Sequence, residues 1–198
     1  MKKRILTVAL IVALMATCFA GTLAYLQDSK AQKNTFTTGE VYITLNEAVV
    51  EKNAEGNLVD AGTRTSNNQE YKLFPGMTVT KDPTITLNEG SEDAWIAAKI
   101  TFTGYNARAL LSGGALFDEN IATVVEDGNV LYVYVNAKQT AKAEIALFNT
   151  LTIPATWGNV EMANINNMTI NVEAYGVQAN GFANCQEAMK AAFPAAFN

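Results

Sequence analysis

IATVVEDGNVLYVYV, residues 121–135, is the stretch that decides the fold. Two apolar runs, 121–125 and 130–135, flank Glu126-Asp127-Gly128-Asn129. Asp-Gly between such runs predicts a β-hairpin, because both central positions of the tight turn need positive φ. Within the second run Leu131, Val133 and Val135 alternate with Tyr132 and Tyr134. One face of a half-buried strand must be core. The aliphatic face is the natural one, which leaves the two tyrosines outward.

The same grammar extends in both directions. Val41, Ile43 and Leu45 alternate with Tyr42 and Thr44. Ile85 and Leu87 alternate with Thr84 and Thr86 just after Pro83. Ile96, Ala98, Ile100 and Phe102 share a face, as do Ile170, Val172 and Ala174. Residues 143–153 form a further strand region. Residues 51–70 are rich in Asn, Gly, Thr and Ser and read as a long loop, and Pro75-Gly76 marks a turn. Two short helices interrupt the strands. Asn106 can cap one over 107–111. Asn184, with Glu187 three residues on, resembles a capping box ahead of an Ala-rich helix that Pro194 should stop. Seven or eight strands with so little helix predict an antiparallel β-sandwich with short peripheral helices.

The N-terminus carries a different signal. Lys2, Lys3 and Arg4 precede an apolar run from Ile5 to Ala20. Thr22 and Ala24 then place small residues three before and one before a bond. This is the order of a secretory signal peptide, with cleavage between Ala24 and Tyr25. The expected organisation is a signal peptide over 1–24, an N-terminal arm over 25–34, and a single sandwich domain over 35–198. The mature protein is expected to be secreted and extracellular or cell-surface associated. Cys18 does not read as a lipidation site, because Met15 and Thr17 stand where a lipobox needs Leu and a small residue.

Cleavage there leaves 174 of the 198 residues. A domain of that size buries roughly 70% of its unfolded surface. No second apolar run approaches the ~18 residues of a membrane span. The leader removes three of fourteen basic residues and none of nineteen acidic ones, so eleven remain against nineteen and the mature net charge is −8. Such a surface repels nucleic acid and anionic lipid. Cys185 is left without a disulfide partner in its own chain.

Several stretches together resemble the TasA/camelysin family, exported proteins of Gram-positive bacteria cleaved by the dedicated signal peptidase SipW. They are residues 21–28 (GTLAYLQD), 34–39 (NTFTTG) and 41–45 (VYITL); residues 75–81 (PGMTVTK) with Asn88-Glu89-Gly90; and residues 170–175 (INVEAY) with 177–182 (VQANGF). The resemblance implies an all-β, jelly-roll-like antiparallel sandwich that assembles into extracellular or biofilm-matrix fibres. It also implies self-association into filaments, with other matrix or cell-surface proteins as further partners.

Camelysins have been classed as metallopeptidases, and here the residues argue otherwise. The chain contains no histidine. It therefore lacks the imidazole ligands of a zinc protease and the base of a Ser-His-Asp or Cys-His site. No catalytic residue and no cofactor are expected. Glu89, Glu92 and Asp93; Asp118 and Glu119; and Glu126 and Asp127 could offer oxygen ligands to calcium. None has EF-hand spacing, and each sits beside a turn, so they read as solvated loop charge. Trp95 and Trp157 with Tyr132, Tyr134 and Tyr175 could stack on sugar, which makes a glycan- or host-binding module the alternative. Packing within the fold is the simpler reading.

The arm, residues 25–34, is polar apart from Tyr25, Leu26 and Ala31 and cannot make a core of its own. It reads as a frayed end or as a donor strand that adds to another copy's sheet edge, with Tyr25 and Leu26 as anchors.

Overall fold

A computed structural model of the chain describes residues 39–197. Its strands are β1 (Ile43–Lys52), β2 (Leu58–Thr65), β3 (Thr78–Thr80), β4 (Thr84–Leu87), β5 (Ala94–Thr103), β6 (Leu111–Ser112), β7 (Ala122–Asp127), β8 (Val130–Val135), β9 (Glu144–Ala146), β10 (Thr150–Thr152) and β11 (Thr169–Gln178). Two short helices join them, α1 (Asn159–Asn164) and α2 (Cys185–Ala192). One sheet runs β6-β10-β3-β2-β1-β4-β9 and the other β11-β5-β8-β7.

Three antiparallel pairings are nested: β3 with β10, β4 with β9, and β5 with β8. Such nesting is one long hairpin rolled over on itself, the logic of a jelly roll. β1 joins the halves of the larger sheet. Its first residues pair with β4 and its last with β2, with a register shift between Ala48 and Val50. A bulge there bends the strand and lets it serve both neighbours. Between the sheets lie Ile85, Leu87, Ile96, Ile100, Leu131, Val133, Leu147, Phe148 and Ile153, all fully buried. Each such side chain contributes roughly 1.5–3 kcal/mol by leaving water. The aliphatic face of residues 130–135 is in this core as the alternation requires.

Four local expectations need correction. The β7–β8 register pairs Asp127 with Val130, so the two-residue loop is Gly128-Asn129. Only Gly128 has positive φ, at 59°. This is the Gly-first pattern of a type II′ turn, which needs positive φ at one central position alone. The stretch 51–70 is not a long loop, because it contains β2. That strand is exposed along most of its length and shows no apolar alternation. Its hairpin is closed by Asn53, whose Oδ1 accepts from the amides of Glu55 and Asn57 at 3.1 and 2.9 Å. The region 143–153 is two strands, β9 on β4 and β10 on β3, because the chain turns inward at buried Leu147 and Phe148.

The tyrosine face of β8 is the fourth. It is covered, not solvent-facing. α2 and the residues after it lie on the outer face of the four-stranded sheet. Tyr132, Tyr134 and Tyr175 surround Phe197 at ring distances of 5.7, 5.6 and 4.8 Å. Trp95, Ala97, Val177, Ala188 and Met189 complete this second core. The helix begins where its cap was placed: Asn184 Oδ1 accepts from the Glu187 amide at 2.9 Å. Glu187 reaches back one residue further than a capping box does and accepts from the Ala183 amide. Asn106 caps a single 3-10 turn over Ala107–Leu110.

Cys185 locks α2 to the sheet. The β5–β8 ladder ends at Ala97 opposite Tyr134. One step further, the Cys185 thiol donates to the Ile96 carbonyl at 3.1 Å. Burial pushes the thiol's pKa up to about 12, with the nearby Val135 amide pulling the other way. The raised value means that the folded state holds the proton after the unfolded chain has lost it. This stabilisation is complete below the ordinary thiol value and fades as pH climbs toward 12. Cys185→Ala is expected to cost about 1–3 kcal/mol, the penalty of stranding a buried carbonyl. Urea denaturation measures it. Native protein should also leave this thiol unalkylated at neutral pH.

Candidate assembly cleft

The two sheets differ in how their edges end. The larger sheet ends in β6 and β9, two and three residues long. Such short edges offer little to another chain. The smaller sheet ends in β7 and in β11, which pairs with β5 through ten consecutive residues without a register shift. β11 contains no proline, lysine or bulge, though it carries one exposed charge, Glu173. Among the described residues its other edge has no partner.

Part of the inner face of β11 is packed against. Val41 and Ile43 carbons lie 3.1 and 3.0 Å from where a Cβ on Gly176 would stand. A side chain at Gly176 would push the start of β1 away. The opposite end, Thr169–Val172, instead opens onto a cleft of about 920 Å³.

The facing wall is a strap, residues 66–73, that follows β2. Gln69, Tyr71 and Leu73 are half-buried, while Asn68, Glu70, Lys72 and Phe74 are exposed. That is the period of a strand. Yet among the described residues the backbone of Asn68–Leu73 makes no hydrogen bond. Met162 and Ile165, at and just after α1, close one end, and Leu45, Val79 and Leu151 form the apolar floor.

The strap is tied down through Glu47. Glu47 Oε1 accepts from Gln69 Nε2 at 3.0 Å and from the Tyr71 hydroxyl at 3.5 Å. Gln69 Nε2 also donates to the Ala48 carbonyl at 2.8 Å. Glu47 Oε2 is paired with the Lys81 ammonium, and both side chains are only 13% exposed. Lys81 Nζ lies 5.4 Å from the centre of the Tyr71 ring. Burial, and then the Glu47 carboxylate, raise the pKa of the Tyr71 hydroxyl. Arg64 braces the neighbouring backbone by bridging Asp82 and Asn46.

Among the described residues, two backbone segments, 68–73 and the outer edge of β11 at 169–172, border a cleft lined by Leu45, Val79 and Leu151 and make no backbone hydrogen bonds to one another.

The residues singled out from sequence fall elsewhere. Thr22, Ala24, Tyr25 and Leu26 lie outside the described residues, as do the rest of the arm and Cys18. The five aromatics do not form a platform. Trp95, Tyr132, Tyr134 and Tyr175 meet beneath α2, whereas Trp157 packs edge-on to Tyr105 at 6.0 Å, on the main core. The Trp95 indole Nε1 is buried and has no hydrogen-bond partner among the described residues. The acidic stretches are also scattered. Glu89 pairs with Lys142 at 3.0 Å, and Glu126 pairs with Arg108. Among the described residues no three metal-ligating side chains converge, and no helix is long and apolar enough to cross a membrane.

The strap and its Glu47 anchor were missed. A signal existed in the alternation Gln69, Tyr71, Leu73. It was hidden because one of those positions is an amide and the segment straddles the end of a polar stretch.

The chain thus falls in the class of all-β sandwiches with short helices, and among the described residues the β11 edge of its smaller sheet has no strand partner. No family model, curated protein or solved structure matches it.

Proposed function

We propose that this is a secreted structural protein whose copies join by strand exchange into extracellular or biofilm-matrix fibres. One observation carries the reading: among the described residues, the cleft between β11 and the strap is walled on both sides by backbone without partners. An incoming strand would gain backbone hydrogen bonds there and bury alternate side chains on the apolar floor. The arm supplies a strand of suitable length. Its ten residues exceed both walls of the cleft, the four of 169–172 and the six of 68–73.

Signal peptidase cleavage between Ala24 and Tyr25, with Thr22 in the other small pocket, would free the arm only after export. Tyr25 and Leu26 then anchor it on the next copy. The resemblance to the TasA/camelysin family supports the same reading. The chain has no role as an enzyme in this account and needs no cofactor. Its partner is another copy of itself.

The test is electron microscopy of the processed chain over a range of concentrations. Filaments whose terminal residue is Tyr25 or Leu26 are the expected result. A stable monomer that binds glycan saturably would favour the binding-module alternative, and chelator-sensitive cleavage of casein would favour a camelysin-like peptidase. Ala24→Glu should leave unprocessed, membrane-held precursor and no filaments.

A further inference from the structure

We infer that the strap is itself an acceptor edge, held extended by Gln69 and Tyr71 on the Glu47 carboxylate, so that the incoming strand pairs with backbone on both of its sides. This rests on the strand-exchange reading and adds to it. β11 alone would suffice for ordinary strand addition. What calls for explanation is the strap.

A surface connection without a sheet partner among the described residues has no need of strand periodicity, yet Gln69, Tyr71 and Leu73 are half-buried and their neighbours exposed. In that geometry successive amides and carbonyls point sideways in the plane of a sheet. A run of six residues whose backbone finds no partner among the described residues is also unusual in a folded protein, where most such groups are paired. The tether is equally specific. Gln69 donates to both the Glu47 carboxylate and the Ala48 carbonyl, so its amide fixes the strap to β1 at two points. Glu47 is fixed in turn by Lys81 on the other side. The strap is thereby ordered before any ligand arrives, and a ligand need not supply the entropy of ordering it. Gln69 and Tyr71 are positioning residues: they hold backbone in place and need not touch the bound strand.

The test uses the full chain, still carrying its leader and kept in mild detergent, so that its own arm has no free end. A synthetic peptide of residues 25–34 is titrated against it, and amide hydrogen exchange is followed. Peptide should slow exchange in two places, at 169–172 and at 68–73. Gln69→Ala should speed strap exchange in the free protein and weaken peptide binding about tenfold, equivalent to ~1.4 kcal/mol. Tyr71→Phe, which keeps the ring, should have a smaller effect in the same direction. Lys72→Ala, on the outward face, should change neither. Melting temperatures of the variants should stay close to that of the parent.

Protection confined to 169–172, or peptide binding by Gln69→Ala as tight as by the parent, would overturn the inference and leave strand exchange at β11 standing. Failure of the parent protein to bind the peptide at all would overturn both.

Discussion

A chain that begins at Thr35 is expected to stay folded and monomeric at concentrations where one that begins at Tyr25 forms filaments. The difference is expected to be one of kind, because the arm supplies the only inter-subunit strand in the proposed assembly. The hydrophobic clusters and the strand nesting described here lie within residues 39–197, all of which a chain beginning at Thr35 retains. The arm is a poor candidate for independent order. Fixing its backbone costs roughly 1 kcal/mol or more per residue, and its three apolar side chains cannot offset that in water. Paired between β11 and the strap, with Tyr25 and Leu26 buried on the neighbour, it can. In the proposed assembly the contact is heterologous: arm on one copy, cleft on the next. Such contacts do not close into a dimer and propagate as a filament. A bulky tag on the new terminus should suppress assembly in the same way. Size-exclusion chromatography and electron microscopy read the outcome. If the shortened chain polymerises as readily as the longer one, strand exchange by the arm is wrong, even for a fibre-forming protein.

The parts of this fold that were legible in sequence are those where one face of a strand is buried and the other is not. β5, β8 and β11 show their inward residues directly because burial imposes a period of two. Asn184 and Asn106 were legible as caps because an unpaired first-turn amide needs a local acceptor, and little but local sequence decides that. β2 was not legible. Its outer neighbours are water on most sides, so no selection for alternating apolarity acts on it, and its pairing with β1 is decided by the Asn53 turn and the bulge. The tyrosine face of β8 was assigned to the correct side of the strand but to the wrong environment. The helix that covers it comes from the far end of the chain, and a strand's periodicity carries no information about what lands on its outer face. The cleft was least legible of all. It is defined by pairings that are not made, between β11 and a segment with no element of its own, and absent pairings leave no trace in composition. Gln69 on Glu47 is a contact across two elements whose adjacency depends on the whole roll.

Gly114→Ala should be strongly damaging, costing about 3–5 kcal/mol. Two penalties combine. Gly114 has φ 71° and ψ −171°, a region that only glycine occupies comfortably. A side chain held there stores roughly 1–3 kcal/mol of strain. The added Cβ would also stand 2.7 Å from the Leu147 carbonyl carbon and the Phe148 nitrogen, and 2.8 Å from the Ala146 oxygen. Those are backbone atoms and cannot swing aside as a side-chain tip would. Relief requires moving the 146–148 segment, which carries two fully buried residues and receives the Leu116 amide on the Leu147 carbonyl at 2.8 Å. Overpacking of this kind adds roughly 1–3 kcal/mol. Against a typical domain stability of about 5–15 kcal/mol, the sum removes a large share. Gly90→Ala is the control. Gly90 also has positive φ, 85°, but nothing lies within 4 Å of its Cβ position. It should cost only the backbone strain, about 1 kcal/mol. Urea denaturation of both variants separates the two penalties. Equal losses would show that the 146–148 backbone yields to the methyl group, and would locate the cost of Gly114→Ala in φ alone.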